Sequence, residues 1–385
     1  MRRNQTGPAA IPGGLLREHR NERYASRKLK RVDRPTTLIT DDVPRADERE
    51  HGFQRAICGD LGPVAQREFF RFIDKYPLGA ALAGMEARLV DAVDGPIAPQ
   101  KAPITEDPAI LSRHIKEVAN FLRADAVGIC ETQPYMFYSH TAAGRPVDAS
   151  HKYAIAVLID QNYDSFAGAQ GDDWISGSQS FIGYSVSGAI SCVLADYIRR
   201  LGFPARAHHA RNYQVVVPPV LLLAGLGEVC RIGGTVLNPF LGPRFKAAVV
   251  TTDLPLQPDK PIDFGLQDFC SHCKKCAREC PANAISSGDK MISNGYECWR
   301  GDTDACTRFR VTNARGSSCG RCISVCPWNK PDTWYHAVAT RLCSRSKLAR
   351  RGMIKLDDLL GYGKADPTRK WWFDLEEIDG ELTAR

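Results

Sequence analysis

The sequence predicts an α+β protein with a small cysteine-rich module of the ferredoxin type late in the chain. Apolar residues recur at helical spacing in 185–201, and the apolar run "KYAIAVLID" at 152–160 is typical of a buried strand. Nine of the fourteen cysteines lie between positions 270 and 326. With 385 residues, the chain is long enough for two or three domains.

Composition and charge exclude some functions. The chain is 43% apolar and 25% charged, with a net charge of +7, and no basic run is interleaved with aromatics, so we expect no nucleic-acid partner. The longest apolar stretch, 213–227, contains Pro218 and Pro219, and we expect no membrane span. Residues 1–14 lack the apolar segment of an export signal. We therefore expect a cytoplasmic protein, in which metal binding by cysteine is favoured over disulfides.

The chain divides into four segments. Residues 1–60 are polar and predict an extended arm that lies on the surface or on a partner. A core domain is expected over 61–260, with helices through 61–130 and a helix, a Gly-rich loop and a strand within 220–256. The cysteine module covers 261–335. The aromatic tail, 336–385, is expected to pack back on the core.

The clearest helix is predicted over residues 185–201. Ser185 is a plausible N-cap, basic residues occupy the last turn, and Gly202 follows as a C-terminal stop. Tyr184 would immediately precede this helix. The positive end of the helix dipole would then lie close to the Tyr184 hydroxyl.

The first cysteine run has the spacing of a bacterial ferredoxin. Cys270, Cys273, Cys276 and Cys280 form C-x2-C-x2-C-x3-C, and Pro281 follows. Zinc sites more often pair two C-x2-C units across a loop, so zinc is the lesser alternative. In two-cluster ferredoxins the fourth cysteine of such a run ligates the other cluster. The motif therefore predicts a second run of cysteines.

That second run is present, and it predicts a crossed pair of [4Fe–4S] clusters. It reads C-x12-C-x2-C-x3-C and ends before Pro327. The first cluster would be held by Cys270, Cys273, Cys276 and Cys326, and the second by Cys306, Cys319, Cys322 and Cys280. Cys298 is a rival to Cys306, which the spacing favours. The five remaining cysteines are expected to be buried and inert: Cys58, Cys130, Cys192, Cys230 and Cys343.

The segment "GLGEVCRIGG" superficially resembles a dinucleotide-binding loop. It lacks the G-x-G-x-x-G order after a strand, so a nicotinamide site is rejected. Its glycines would instead let a large flat ligand approach the backbone.

Motifs along nearly the whole chain resemble those of the corrinoid-dependent reductive dehalogenases. They are "RPTTLITDDVPRADEREHGFQRA", "DYIRRLGFPARA", "AGLGEVCRIGG", the approach "DLPLQPDKPIDFGLQDF" to the first cysteine run, "CPWNKP" after the second, and "GYGK" and "WWFDL" near the end. The resemblance implies a nitroreductase-like corrinoid-binding domain followed by a ferredoxin-like domain with two [4Fe–4S] clusters. It further implies base-off cobalamin and the reductive removal of halogen from an organohalide. The absence of a D-x-H-x-x-G motif agrees with base-off binding.

The resemblance also assigns roles to residues. A tyrosine in the position of Tyr184 supplies the proton that replaces the halogen, and a basic residue just after "LGP" supports it, so Lys246 and Arg244 are alternatives. The substrate pocket would be lined by His208, His209, Arg211 and Asn212. Contacts with the corrin are expected from Tyr138, Ser139, Ala224, Gly225, Leu226, Gly227, Asn238 and Pro239.

Within the family, we expect the sequence to be of the cytoplasmic type, without an export signal or a fused reductase. A separate ferredoxin or flavodoxin-type electron donor, a halogenated phenol or related aromatic as substrate, and a homodimer are therefore expected. Two rivals remain. Epoxyqueuosine reductase shares the cofactors but acts on tRNA with a carboxylate as proton donor, and a bare electron carrier would bind clusters without cobalamin.

Overall fold

A computed structural model describes residues 29–69, 77–169, 171, 175–313, 318–373, 375–378 and 381–384. Residues 1–28 of the predicted arm lie outside this part of the chain. The α-helices, numbered in chain order, are α1 Gly52–Cys58, α2 Pro63–Glu68, α3 Pro77–Ala87, α4 Pro108–Phe121, α5 Tyr163–Gly168, α6 Ile175–Arg200, α7 Val217–Leu223, α8 Leu266–Cys273, α9 Lys275–Arg278, α10 Thr303–Thr312, α11 Arg321–Ser324, α12 Trp334–Arg345 and α13 Lys347–Leu359.

The described strands contain fewer residues in total than the described helices. The presence of both kinds of element agrees with the predicted α+β class. The strands are β1 Lys30–Arg31, β2 Ala126–Glu131, β3 Tyr153–Asp160, β4 Ala205–His208, β5 Glu228–Val229, β6 Val236–Leu237, β7 Phe245–Thr252, β8 Ile262–Asp263, β9 Met291–Ser293, β10 Tyr296–Cys298, β11 Leu375–Ile378 and β12 Glu381–Ala384. The predicted strand at 152–160 is confirmed as β3.

A four-stranded antiparallel sheet in the order β2-β3-β7-β4 forms the centre of the core domain. Ile155 of β3 lies opposite Ile129 of β2 and Val250 of β7. Successive side chains of a strand point to opposite faces. Ile155 therefore packs with helices α4 and α6 on one face, while its neighbour Ala156 packs with α7 on the other. Both faces are covered, which explains why β3 is a nearly continuous apolar run.

Helix α6 begins earlier than the sequence predicts. It is already helical at Ile175 and ends at Arg200 as expected, with Gly202 at φ 91° just beyond it. The N-cap assigned to Ser185 is therefore wrong. Glycine and serine have low helix propensity, and "ISGSQSFIGYS" is rich in both, but most of this segment is buried and tertiary packing overrides propensity.

The helical prediction over 61–130 is also only partly correct. Helix α4 is capped by the Asp107 side chain, which accepts hydrogen bonds from two backbone amides, and it ends at Phe121. Arg123 then takes a left-handed conformation with φ 78°, and the chain continues as strand β2. The short apolar run 126–131 could not be distinguished from a helix by periodicity alone.

The arm and the tail both contact the rest of the protein. Strand β1 of the arm pairs with β8 at the start of the cysteine module, and Ile39 forms a β-bridge with Tyr296 of the same module. In the tail, α13 packs on α8, which carries the first cysteines of the module. The exact domain boundaries remain predictions.

One described helix, α6, is long and apolar enough to cross a membrane by length and composition, although the sequence analysis expected no such segment. In this structure, 61% of its most apolar window is buried inside the protein. The helix covers the central sheet, which is the behaviour of a core helix.

Candidate active site

Tyr184 lies inside α6, nine residues after Ile175, and faces strand β7. The Nζ atom of Lys246 on β7 lies 4.6 Å from the centre of the Tyr184 ring. Gly183 makes this approach possible, because a Cβ at that position would lie only 2.8 Å from Lys246 Cγ. The expectation that the helix N-terminus lies beside the Tyr184 hydroxyl is wrong, since Tyr184 is an internal residue of α6. The positive charge near this ring comes from Lys246.

A buried carboxylate, that of Glu86, lies near enough to Lys246 for the two charges to interact. Glu86, near the end of α3, is 1% exposed, and its Oε2 lies 3.3 Å from Nε of Arg211. Its Oε1 has no hydrogen-bond partner. Burial raises the pKa of Glu86 to about 7, although Arg211 and Lys246 act in the opposite direction. The site therefore contains an acid that changes its charge near neutral pH.

Two further tyrosines lie close to this group. The Tyr213 hydroxyl donates a hydrogen bond to the backbone oxygen of Ala247. Burial, followed by the neighbouring Tyr184 and Glu86, raises the pKa of Tyr213 well above its usual range. Burial also raises the pKa of Tyr138 to about 12. Both phenols are therefore neutral at physiological pH and can act as hydrogen-bond donors.

Hydrogen bonds within the fold hold the ring of His208. It is 1% exposed on β4, and its Nδ1 accepts a hydrogen bond from the backbone amide of Gln214, at 3.2 Å. Its Nε2 must then carry the proton and donate to Thr251 Oγ1, at 2.9 Å. Arg206 Nη2 donates to Asn212 Oδ1 at 2.7 Å and so holds the following loop. Burial lowers the pKa of His208 well below its usual range. His208 and Asn212 are thus occupied in folding the loop.

His209 and Arg211 lie nearer to the tyrosine. His209 is fully buried, its Nε2 is 3.3 Å from the backbone oxygen of Leu89, and its Nδ1 has no partner. A Cβ at Gly188, one turn beyond Tyr184 on α6, would lie 3.4 Å from His209 Cβ. Of the four predicted pocket residues, these two are therefore the ones positioned beside the site.

The contacts of Arg244 are with residues other than Tyr184. It is 2% exposed, forms an ion pair of 3.1 Å with Asp160, and donates to Asn329 of the cysteine module. Its guanidinium lies over the Tyr163 ring. Of the two alternative cations, the structure brings Lys246 to the tyrosine and uses Arg244 to join β7 to the module.

The predicted corrin-contact turn at residues 224–227 is buried within the protein. A Cβ at Gly225 would lie 2.3 Å from the backbone oxygen of Lys260, and one at Gly227 would lie 2.3 Å from that of Leu237. The chain itself fills the space beside both glycines. A Cβ at Gly234, in the same segment, would meet nothing within 4 Å, whereas Ala224 and Leu226 are 1% exposed. The contact of this segment with a flat ligand therefore stays a prediction.

The other corrin-contact candidates separate into two groups. Asn238 is fully buried, and it donates to the Leu226 carbonyl at 2.7 Å, which stabilises a turn. Pro239 lines a cavity of about 760 Å³ together with Trp328 of the module. This volume is typical of cofactor pockets. Tyr138 and Ser139 are half-buried, and Tyr138 lies near Tyr213 beside the candidate catalytic group.

The first predicted set of cluster cysteines comes together in space. Burial raises the pKa of Cys326 well above its usual range, and the neighbouring thiols of Cys270 and Cys276 raise it further. The same four predicted cysteines line one small cavity with Cys230 and Trp328. Such thiols are protonated and inert when free, and iron binding requires them to lose the proton.

The second set is also grouped as the crossed arrangement requires. Burial raises the pKa of Cys319 to about 11, and the thiols of Cys306 and Cys280 contribute. Cys298, in contrast, packs into the core of the main domain, and the charges acting on it are those of Lys290 and Arg300. The structure therefore places Cys306, and not Cys298, beside the second set. Within the described ranges, no three His, Cys, Asp or Glu side chains are grouped so as to hold a single metal ion.

Helix α6 connects the second cysteine set with the tyrosine. Ser176, near its start, donates a hydrogen bond of 2.9 Å to the backbone oxygen of Cys319. Tyr184 follows eight residues later, which corresponds to about 12 Å along the helix axis. One rigid element therefore positions both the cysteine module and the candidate proton donor.

Sequence reasoning missed Glu86 and Tyr213. Glu86 is a single acidic residue within "PLGAALAGMEA", and Tyr213 is a single aromatic in a loop, so neither belongs to a motif. Only the packing of α3 and of the 209–213 loop against α6 and β7 brings them to Tyr184.

Comparisons with known proteins show which proteins this chain resembles. Residues 269–329 match the model of a 4Fe-4S double cluster binding domain. A tetrachloroethene reductive dehalogenase of Desulfitobacterium hafniense is 34% identical over 231 residues, which are 57% of this chain and 40% of that protein. A tetrachloroethene reductive dehalogenase of Sulfurospirillum multivorans is 29% identical over 311 residues, covering 71% of this chain and 61% of that protein.

Solved structures extend the likeness to nearly the whole chain. A reductive dehalogenase whose structure suggests a mechanism for B12-dependent dehalogenation superimposes with a TM-score of 0.90 and 45% identity, over 97% of this chain and 55% of that one. The catabolic reductive dehalogenase NpRdhA gives 0.88 and 46%, over 92% and 52%. The chain thus spans about half the length of these two proteins and less than two thirds of the curated relatives.

Proposed function

The chain belongs to the reductive dehalogenase family, and from that premise we propose that it removes halogen from an organohalide by reduction, using base-off cobalamin and two [4Fe–4S] clusters. Tyr184 is the proposed proton donor. The carbon–halogen bond accepts two electrons and one proton, and the products are a carbon–hydrogen bond and a halide ion. Cobalamin, when bound, supplies the reduced cobalt at which the bond breaks.

The observation that carries this proposal is the pairing of Tyr184 with Lys246. A phenol is a weak acid, and a general acid works best when the protein stabilises the anion that it leaves behind. The Lys246 ammonium lies 4.6 Å from the ring centre, and this proximity supports the proposal because a cation there would stabilise that phenolate. The role of Tyr184 is therefore to hold and release a proton, and the role of Lys246 is to favour the release.

Electrons are proposed to pass through the two clusters held by the cysteine sets and then to the site near Tyr184. The two cysteine sets would hold the clusters, and the second set adjoins the start of α6 through Ser176 and Cys319. Each [4Fe–4S] cluster carries a single electron, so two successive transfers are needed for each halogen removed. We propose a ferredoxin or flavodoxin-type protein as the donor and a reducing, cytoplasmic setting.

The proposed substrate class is a halogenated phenol or hydroxybenzoate. NpRdhA, at 46% identity, has been solved in complex with 3-bromo-4-hydroxybenzoic acid. The cations Lys246 and Arg211 would favour a phenolate or carboxylate in this chain's site. Tyr138 and Pro239 are the proposed corrin contacts that the geometry supports, since one lies beside the tyrosine group and the other lines the large cavity.

The rival function is that of an epoxyqueuosine reductase. One such enzyme, from Leadbetterella byssophila, is 34% identical over 111 residues, but these are only 28% of this chain. The dehalogenase relatives match over a much larger share. We therefore favour the dehalogenase, and a direct assay distinguishes the two.

The test is anaerobic reconstitution with iron, sulfide and hydroxocobalamin, followed by cofactor analysis and a halide-release assay on a panel of halophenols. We expect one corrinoid, about eight irons per chain and halide release with a low-potential reductant. The rival function would be supported if the chain bound both cofactors, released no halide from any organohalide and acted on an epoxyqueuosine-containing tRNA. Clusters without cobalamin would leave only an electron carrier.

A further inference from the structure

Arg231 is a buried cation, and no carboxylate oxygen of the described residues lies within 4 Å of its guanidinium. It is 2% exposed, and its Nε donates a hydrogen bond of 3.0 Å to the backbone oxygen of Cys270. Its Nη1 donates to the backbone oxygens of Ser286 and Gly288, at 2.8 and 2.9 Å. The guanidinium carbon lies 4.7 Å from the centre of the Trp299 ring. All of these partners are neutral, so they satisfy the hydrogen bonds without balancing the charge.

The other buried arginines of the described ranges differ in this respect. Each of the three has a carboxylate oxygen within 4 Å: Arg199 has Asp196, Arg244 has Asp160 and Arg350 has Asp268. An uncompensated buried charge costs several kcal/mol. An arginine does not lose its proton in a protein, so the charge of Arg231 requires a negative counterpart nearby.

The neighbours of Arg231 indicate what that counterpart is. The residue before it, Cys230, lines the same small cavity as Cys270, Cys273, Cys276 and Cys326, and Arg231 lines it as well. Burial lowers the pKa of Arg231, and the thiols of Cys270, Cys276 and Cys273 act in the opposite direction, as does the Asp289 carboxylate beyond ion-pair distance. Four thiolates on a [4Fe–4S] core form a cluster that is already negative, and its reduction by one electron adds a further negative charge.

We propose that Arg231 is the counter-charge of the first cluster and raises its reduction potential relative to the second. The inference rests on the two-cluster part of the proposed function. The net charge around a cluster and the hydrogen bonds near its sulfurs set its potential. A fixed cation favours the more negative, reduced state, so Arg231 makes the first cluster easier to reduce. Arg231 acts through the cluster and is therefore a positioning residue, not a catalytic one.

The test compares three variants of the reconstituted chain by iron and sulfide analysis and by redox titration followed with electron paramagnetic resonance. Arg231→Met keeps most of the side-chain volume and removes the charge, and Arg231→Lys keeps the charge. Arg199→Met removes a buried, ion-paired arginine at the end of α6, the opposite end from Ser176 and the second cysteine set. In Arg231→Met we expect one midpoint potential to become more negative while the other is unchanged. Arg231→Lys should stay close to the wild type, and Arg199→Met should leave both potentials unchanged.

Loss of about four of the eight irons in Arg231→Met, with full iron in Arg231→Lys, would equally support the charge role. Wild-type potentials in Arg231→Met would overturn the proposal. So would an equal shift, or an equal iron loss, in Arg231→Met and Arg231→Lys, because packing and not charge would then be responsible. None of these results depends on halide release. A chain that shows the shift but releases no halide would contradict the proposed function and leave the role of Arg231 standing.

Discussion

The ammonium nitrogen of Lys246 lies 4.6 Å from the centre of the Tyr184 ring, and Gly183 provides the room for this contact. The pair joins the longest helix of the core to a central strand of its sheet. Because both residues belong to the proposed proton-donating group, a substitution at either one should change turnover.

Replacement of Tyr184 by Phe should abolish dehalogenation and leave both cofactors bound. The ring and its packing remain, but the proton donor is lost, and general acid catalysis typically contributes about 10²–10⁴-fold. The measurement is halide release in parallel with corrinoid and iron content. Wild-type turnover in this variant would remove Tyr184 from the mechanism.

Replacement of Lys246 by Met should slow turnover by roughly 10-fold or more, because the phenolate loses its cation. Gly183→Ala should slow it less, since the new Cβ would lie 2.8 Å from Lys246 Cγ and displace a flexible side chain. Lys246→Arg is the charge-preserving control. Equal rates in Lys246→Met and the wild type would show that the lysine only packs against the ring.

Glu86 should make stability depend on pH. Its pKa rises from 4.5 in the unfolded chain to about 7 in the folded protein, mainly through burial. The folded state therefore binds the proton more tightly, and its stabilising effect is complete below pH 4.5 and is lost as pH rises through 7. The loss amounts to about 3 kcal/mol. In denaturant unfolding, the free energy of unfolding of Glu86→Gln should rise relative to that of the wild type as the pH is raised from 5 to 8.

The control for this measurement is Glu106→Gln, since Glu106 is an exposed carboxylate that pairs with Lys101 at the surface. Its stability relative to the wild type should be almost the same at both pH values. If the difference between Glu86→Gln and the wild type did not change with pH, the Glu86 carboxylate would not titrate near neutrality.

The cysteine assignment predicts different outcomes for two neighbouring residues. Cys306→Ala should lower the iron content from about eight to about four per chain, because one cluster loses a ligand. Cys298→Ala should retain both clusters, since Cys298 packs in the core of the main domain. Iron analysis and electron paramagnetic resonance decide the matter. The reverse pattern would make Cys298 the distant ligand.

Arg244→Met should destabilise the protein by about 3 kcal/mol, because it removes the ion pair of a buried guanidinium with Asp160 and its hydrogen bond to Asn329. Asp33→Asn breaks an exposed ion pair with Lys260 and should cost less than about 1 kcal/mol. Both values can be measured by anaerobic denaturant unfolding. A small cost for Arg244→Met would contradict its proposed role in joining β7 to the module.

The sequence by itself determined the features that are local in the chain. The spacing of two cysteine runs predicted the double-cluster domain, which the match over 269–329 confirms. The apolar run at 152–160 predicted β3, and the basic last turn with Gly202 marked the end of α6. These signals are readable because ligand spacing and apolar periodicity depend on neighbouring residues alone.

Only the tertiary structure decided where those elements meet. The start of α6, the choice of Lys246 over Arg244, and the arrival of Glu86 and Tyr213 at Tyr184 all depend on contacts between residues distant in the chain. The buried arginine at position 231 looks like any other arginine in the sequence. That no carboxylate of the described residues forms an ion pair with it appears only when the loop is folded against the cysteines, because burial and charge balance are properties of packing.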